Sequence, residues 1–379
     1  MLKKLASLFC AVLLILSFSS CKSVKQLKDM SIIQGIGIDK DDEDFIVTVQ
    51  IFDTSKASGS SGDAGGNITI TYSAKGESVT QAFVNSQKVM EREAFLAQNK
   101  IIVISEQAVN ESLNEILDYF VRDESIRSDV IVAVTKDNAG EIIKSKSKDA
   151  VIPAENAQRT IINGENYGVS AAQLVLDVTD DYLSPVSDVF FPVLKVQGED
   201  EDKTVSSEGI AVYSNGKIQG YLNDASTRSV LLSNDRLENG VVVLENTPQG
   251  KISVQITSAK AKSKAKITNG RIKYTLNANV ECTIDELQSG VSSSMTKQDV
   301  KKLENYVAEQ IKRDMINTLD MCLKKYSCDV FYIGRLVSMQ NSGFYKNAPK
   351  DFYSQIKNVD YDINITCKAL RADVEALKQ

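Results

Sequence analysis

The feature that most constrains this chain is a predominantly apolar run over residues 5–18, preceded by Lys3 and Lys4 and closed by Ser19-Ser20-Cys21. A helix needs about twenty apolar residues to span a bilayer, and this run holds fourteen. A short basic start, an apolar centre and small residues at the end are instead the parts of a signal peptide. A cysteine placed directly after two serines resembles a lipobox, whose thiol takes a diacylglyceryl group before the preceding peptide bond is cut. Phe18 stands where leucine is usual, and a plain secretory signal is the competing reading. Cys21 lies at the right distance from the run, whereas Cys10 lies inside it. The sequence therefore predicts a signal peptide over residues 1–20 and a body anchored through Cys21 on the outer face of a membrane. Two acyl chains hold firmly where one is marginal, at about 0.8 kcal/mol per buried methylene.

The rest of the chain has globular composition, 42% hydrophobic and 25% charged over 379 residues, with room for two or three domains. It contains no histidine. That removes histidine-based triads, the usual general base at neutral pH and the commonest zinc ligand. The formal net charge is −6, and loss of Lys3 and Lys4 with the signal makes it −8, a poor match for nucleic acid. Past Cys21 stand Cys282, Cys322, Cys328 and Cys367, none spaced as Cys-x-x-Cys. Three disulfide pairings are open to them, and four buried free thiols fit the sequence equally well. No metal and no cofactor is expected, and no enzymatic activity.

Residues 21–29 read as a polar tether. Strands follow at 31–39 and 45–52 around an acidic turn, with Val47, Val49 and Ile51 alternating against Thr48 and Gln50. Residues 54–66, rich in serine and glycine, read as a loop. A strand at 67–72, a helix at 78–90, an apolar strand at 100–105 and a helix at 106–120 come next. The last carries Val109, Leu113, Ile116, Leu117 and Phe120 on one stripe. A strand at 129–134 and a helix at 139–143 repeat the alternation. After the acidic stretch 198–203 the chain becomes strand-dense, at 209–213, 217–221, 240–245, 251–257 and 259–268. Asn269-Gly270, the strongest short hairpin signal, then leads into residues 271–284. Thr296-x-x-Asp299 opens a long amphipathic helix through Val300, Leu303, Val307, Ile311 and Leu319, and residues 359–372 close as a strand. The expected fold class is α+β. Three consecutive domains, residues 21–200, 201–290 and 291–379, would each carry a mostly antiparallel or mixed sheet flanked by helices.

Few residues invite chemistry. Lys260, Lys262, Lys264 and Lys266 share one strand face. They fit an anionic partner, lipid headgroups or an acidic subunit surface, or a solvated edge strand protected from aggregation; the acidic balance of the chain favours the second. Gly35-Ile36-Gly37 lacks the third glycine of a dinucleotide loop and opens no helix, so close backbone packing is expected there. Asp39, Asp41 and Glu43 imitate the start of a calcium loop, but Asp44 and Gln50 occupy its glycine and closing glutamate positions. A solvated turn accounts for them. Arg122, Asp123, Glu124 and Arg127 fit a partner contact or a salt-bridge cluster at a helix end.

Several stretches resemble one family in order and spacing. Leu27-Lys28-Asp29-Met30-Ser31-Ile32-Ile33 runs into Gly35-Ile36-Gly37-Ile38-Asp39-Lys40, followed by Thr48-Val49-Gln50, Ile101-Ile102-Val103-Ile104 and Arg122-Asp123-Glu124-Ser125-Ile126-Arg127. Gly209-Ile210-Ala211-Val212-Tyr213, Lys217-Ile218-Gln219-Gly220-Tyr221-Leu222 and Asp329-Val330-Phe331-Tyr332-Ile333-Gly334 continue the match. Together they resemble the Ger(x)C family, the lipoprotein C subunit of nutrient germinant receptors in spore-forming bacteria. A tryptophan common near the lipidated cysteine is absent, Asn99 stands where histidine is common, and Phe352 replaces a late tryptophan. The resemblance implies a non-catalytic, three-domain protein with no small-molecule substrate of its own. It would be lipid-anchored on the outer surface of the spore's inner membrane, supporting assembly or signalling with membrane-embedded A and B subunits.

Two other classes fit the export signal. A substrate-binding lipoprotein of a transporter would show two repeated α/β lobes, which the strand-dense middle opposes. An exported hydrolase would need a constellation that the histidine-free chain does not display.

Overall fold

The computed structural model describes residues 30–52, 68–145, 152–198, 203–247, 250–287, 296–341, 343, 346 and 352–371. The expected signal peptide, Cys21, the tether and the loop at 54–66 lie outside them.

The first half builds a nine-stranded mixed sheet. Its elements are β1 (Met30–Asp41), β2 (Asp44–Phe52), β3 (Thr69–Gly76), α1 (Val79–Gln87), β4 (Glu93–Phe95), β5 (Ile101–Ser105), α2 (Glu106–Arg122), β6 (Ile131–Thr135), α3 (Ala139–Lys144), α4 (Pro153–Asn166), α5 (Val175–Leu183), β7 (Val189–Gln197), β8 (Thr204–Ser214) and β9 (Lys217–Leu222). The strand order is β3-β2-β1-β5-β6-β7-β8-β9, with β4 also beside β1. β1, β5, β6 and β7 run parallel, while β3-β2-β1 and β7-β8-β9 are antiparallel.

Helices cover both faces, so β5 and β6 are buried at every position and read as continuous apolar runs. On one face Ile102, Ile104, Val132 and Val134 meet the expected stripe of α2, together with Phe83 of α1 and Val178 of α5. On the other, Ile101, Val103, Ile131 and Ala133 meet Ile142, Ile143, Ala157 and Ile161 of α3 and α4. Each such aliphatic side chain contributes about 1.5–3 kcal/mol on burial. The glycines of β1 make that second layer possible. A methyl group on Gly35 would stand 2.5 Å from the Ala154 Cβ, and one on Gly37 would stand 3.0 Å from the backbone of Ala139. Gln50, fully buried, ties the two helices to β2: its amide nitrogen donates to Ile143 O at 2.6 Å and its oxygen accepts from Ala154 N at 3.0 Å.

The second half builds a four-stranded sheet, β10 (Gly240–Thr247), β11 (Gly250–Thr268), β12 (Arg271–Leu287) and β13 (Asp360–Arg371), in that order. Its inner face packs on α6 (Asp224–Ser233), α7 (Lys297–Leu319) and α8 (Ile333–Gln340). Asn269 and Gly270 adopt φ of 51° and 76°, as the tight β11–β12 turn requires. The two strands expected at 251–257 and 259–268 are one strand, with a bulge between Ile256 and Ser258. α7 begins with the reciprocal Thr296–Asp299 capping box and buries Leu303, Val307, Ile311, Met315 and Leu319. Its last turn widens into a π-helical segment, Asp320–Tyr326, that ends on left-handed Ser327.

The chain is thus α+β with mixed sheets flanked by helices. The first sheet takes strands from both sides of residue 200 and the second from both sides of residue 290, so sheet membership does not follow the expected three-way division.

Cys282, Cys322, Cys328 and Cys367 are buried free thiols. Cys282 and Cys367 approach to 3.2 Å between sulfurs on the parallel β12–β13 pair, but Cys282 stands opposite Ala369, two residues out of register with Cys367. At 3.2 Å the sulfurs stand beyond the roughly 2.05 Å of a bond, and the pair is two thiols.

Candidate functional site

The most heavily built polar site joins the two halves. Its N-terminal side is the end of α5, the following turn and the start of β7, which supply Asp181, Ser187 and Asp188. Its C-terminal side is the stretch from Cys328 into α8, which supplies Asp329, Tyr332, Gly334 and Arg335, with Tyr353 beside it.

Asp329 is fully buried. One carboxylate oxygen accepts from Phe331 N at 3.2 Å and Ile333 N at 3.1 Å, the other from Gly334 N at 2.8 Å. The carboxylate thus satisfies the free amides that open α8, at the end of the helix that favours negative charge. Backbone pairing fixes Asp188 to the same place. Asp188 N donates to Asp329 O at 3.1 Å, and Asp329 N donates to the Asp188 carboxylate at 2.7 Å. Tyr353 OH donates to the other Asp188 oxygen at 3.0 Å. Gly334 is required by space: a Cβ there would stand 2.3 Å from Val186 O and 2.6 Å from the Phe352 ring.

Asp181 lies one layer outward. Arg335 reaches it at 2.7 Å and the exposed Asp180 at 3.0 Å. Tyr332 OH donates to Asp181 at 2.9 Å, Ser187 OH donates to it at 3.2 Å, and Arg335 Nε donates to Ser187 at 3.0 Å. Burial dominates the protonation of all three carboxyls. Asp181 is pushed up to about 6 despite Arg335, and Asp329 to about 7 despite its three amide donors. Asp188 is raised as well, again chiefly by burial. A cavity of about 240 Å³ opens beside the joint, lined by Asp181, Ser187, Asp188, Tyr213 and Tyr353 among others.

Three carboxyls, one guanidinium and two phenols, arranged without a nucleophile–base relay, form a hydrogen-bonded joint that is sensitive to proton uptake. In the sequence Asp329 to Gly334 stand out only as part of a resemblance, and Asp181, Asp188, Arg335 and Tyr353 do not stand out at all. One signal is present: Asp329 is a lone charge between Cys328 and Val330-Phe331, and a charge in an apolar run needs built partners.

Other candidate residues fall elsewhere. Asp39 is a correction: it is only 3% exposed, not a solvated turn residue, and accepts from Ala139 N at 2.7 Å and Gly140 N at 3.0 Å to open α3. Its pKa is raised, burial outweighing those two amides. Asp41 and Glu43 do belong to the exposed turn, where Asp41 pairs with Lys75. Arg122 pairs with Asp118 and Arg127 with Asp129, so two local ion pairs replace the expected cluster. Lys260, Lys262, Lys264 and Lys266 are all exposed on the helix-free face of β11. Among the described residues no group of three or more acidic or cysteine side chains is placed to hold a metal, and no helix is long and apolar enough to cross a membrane.

Comparison with known proteins divides the chain earlier than the sheets do, since β8 and β9 of the first sheet fall mainly in the second match. Residues 23–196 match the family described as spore germination protein N-terminal domain, and residues 208–372 match spore germination B3/GerAC like, C-terminal. The boundary between these matches falls at the β7–β8 connection, at the far end of β7 from Asp188. Spore germination protein B3 of Bacillus subtilis (strain 168) is 19% identical over 94% of this chain and 95% of its own length. Spore germination protein KC of the same organism is 24% identical over 82% and 84%. Among solved structures, the crystal structure of the GerBC protein superposes with a TM-score of 0.55 at 16% identity, over 92% of this chain and all of that one. This chain belongs to the Ger(x)C family of spore germination proteins.

Proposed function

We propose that the chain is the lipoprotein C subunit of a nutrient germinant receptor. In this reading Cys21 carries the diacylglyceryl anchor on the outer face of the spore's inner membrane. The body catalyses nothing and supports assembly or signalling of the nutrient response together with membrane-embedded A and B subunits. The observation that carries it is coverage: the two spore-germination descriptions together take in residues 23–196 and 208–372. The acylation reading rests on the order of the basic start, the apolar run and Ser19-Ser20-Cys21.

Purification of the tagged chain from detergent-solubilised spore membranes tests both parts. The expected result is that A and B subunits co-purify, that mass spectrometry finds a diacylglyceryl group on Cys21, and that Cys21→Ala accumulates with its signal uncut and lowers their recovery. Recovery of the wild-type chain from membranes with no A or B subunit would contradict the partnership. A wild-type chain recovered from membranes with no acyl mass on Cys21 would contradict the acyl anchor.

A further inference from the structure

The second sheet leaves one stretch of edge open. β10 pairs with β11 only over residues 250–256, whereas β12 pairs with β11 as far as Thr268. Beyond the bulge, therefore, β11 has a strand neighbour on one side alone among the described residues. The direction of its free backbone groups follows from one bond. Ala261 N points away from β12 and donates to Asp235 Oδ1 at 2.9 Å. Strand periodicity of two puts the amides of Ser263, Ala265 and Ile267 on the same outer edge. Asp235 closes the edge at Ala261, so the open stretch runs from Ser263 to Ile267.

The side chains along it are ordered by face. Lys260, Lys262, Lys264 and Lys266 stand on the outer face, all exposed and, among the described residues, with no carboxylate in ion-pair contact. Their neighbours across the ladder are Asn279, Asn277, Thr275 and Lys273, none of them acidic. Arg271 shares that face, and Lys273 is already paired with Asp362 at 3.4 Å. On the opposite face Ile267 stays 42% exposed beyond the helices. Like charges two residues apart along one strand repel, and charged side chains on an edge also guard it against edge-to-edge aggregation. Lysine at four successive outward positions, in a chain of net charge −6, is more than solubility demands. The row matches the spacing of acidic side chains on an adjoining strand.

We propose that the outer edge of β11 from Ser263 to Ile267 is a docking site for an extended acidic segment of a partner protein. The segment adds as another strand. Its main chain bonds the free edge groups, carboxylates at every second position face Lys262, Lys264 and Lys266, and apolar residues between them cover Ile267. A flat anionic membrane would use the lysines but not the open amides, which is why a strand is the better occupant.

The test uses the full chain in non-ionic detergent and a labelled seven-residue peptide alternating glutamate with valine. The expected result is saturable binding that added salt weakens. Amide-exchange protection should appear at Ser263, Ala265 and Ile267, and Lys262→Glu with Lys264→Glu should weaken binding about tenfold. Ile267→Pro, which removes an edge amide without touching the β12 ladder, should also weaken binding while leaving the fold intact. Absence of peptide binding overturns the proposal. So does lysine-dependent binding to phosphatidylglycerol-doped micelles without peptide binding, which would assign the row to a membrane. Peptide binding without protection of the three amides would overturn it too, as mere charge attraction.

Discussion

Asp188 and Asp329 hold each other through main chain and side chain at once. Asp188 N donates to Asp329 O at 3.1 Å, and Asp329 N donates to the Asp188 carboxylate at 2.7 Å. The first residue introduces β7 of the first sheet and the second introduces α8 beneath the second. This buried contact ties the two halves of the chain, beside the Glu165–Arg236 ion pair and a shared apolar cluster.

Removing that tie should cost heavily. Asp329→Ala leaves the amides of Phe331, Ile333 and Gly334 without their acceptor, at about 1–3 kcal/mol for each buried group left unpaired. Gly334→Ala drives a methyl group into Val186 O and the Phe352 ring, and overpacking of this kind costs about 1–3 kcal/mol. Urea unfolding of both variants should show lowered midpoints, with Asp329→Ala the lower. Unchanged midpoints would mean that the joint holds nothing.

The same joint sets a pH dependence whose sign is fixed. An unfolded aspartate titrates near 3.9, whereas Asp181 is raised to about 6 and Asp329 to about 7, both chiefly by burial. Above about pH 4 the folded chain keeps protons that the unfolded chain has lost. Their contribution to stability is therefore full below about pH 4 and declines as pH rises through 6 and 7. Asp188, Cys322, Cys328, Tyr332, Tyr353 and Arg335 surround these carboxyls and stay in place in Asp329→Asn. Between pH 5 and pH 8 that variant should lose less stability than the wild type, since each tenfold difference in proton affinity between folded and unfolded chain is worth about 1.4 kcal/mol. Equal losses would show that Asp329 does not titrate in this range.

At the other end of the first sheet, Asp39→Ala should destabilise by about 2 kcal/mol, because both amides that open α3 lose a buried acceptor. Asp39→Asn, which keeps one oxygen, should cost less. Thermal unfolding of the two variants measures the difference, and equal costs would contradict the capping role.

The thiols should remain thiols. Cys282 and Cys367 sit two residues out of register, so alkylation in denaturant should modify Cys282, Cys322, Cys328 and Cys367 equally with and without reductant. A pair protected until reductant is added would show that the Cys282 and Cys367 sulfurs, 3.2 Å apart, close the remaining gap to a bond.

How much of this was legible in the sequence depends on where the deciding forces lie. β5, the stripe of α2, the Asn269-Gly270 turn and the Thr296–Asp299 box were readable, because short-range periodicity and local hydrogen bonds determine them. Lys260 to Lys266 were readable as one strand face, but only pairing showed that β10 accompanies β11 no further than Ile256 and leaves their edge open. Asp39 looked like part of a wet turn and is buried, since α3, a hundred residues on, closes over it. α6, rich in serine and threonine, and short α8 carry weak signals and owe their helices to the sheet above them. The joint was illegible for the same reason: Asp181 and Asp188 meet Tyr332, Arg335 and Asp329 across more than 140 residues.

Spores lacking this gene give the most direct test of the central claim. Loss of refractility is followed after nutrient mixtures and, separately, after a trigger that bypasses nutrient receptors. Nutrient response should fall while the bypass response survives, the wild-type gene should restore it, and Cys21→Ala should restore less. An unchanged nutrient response in spores with no redundant receptor would contradict the receptor role and leave only the family membership standing.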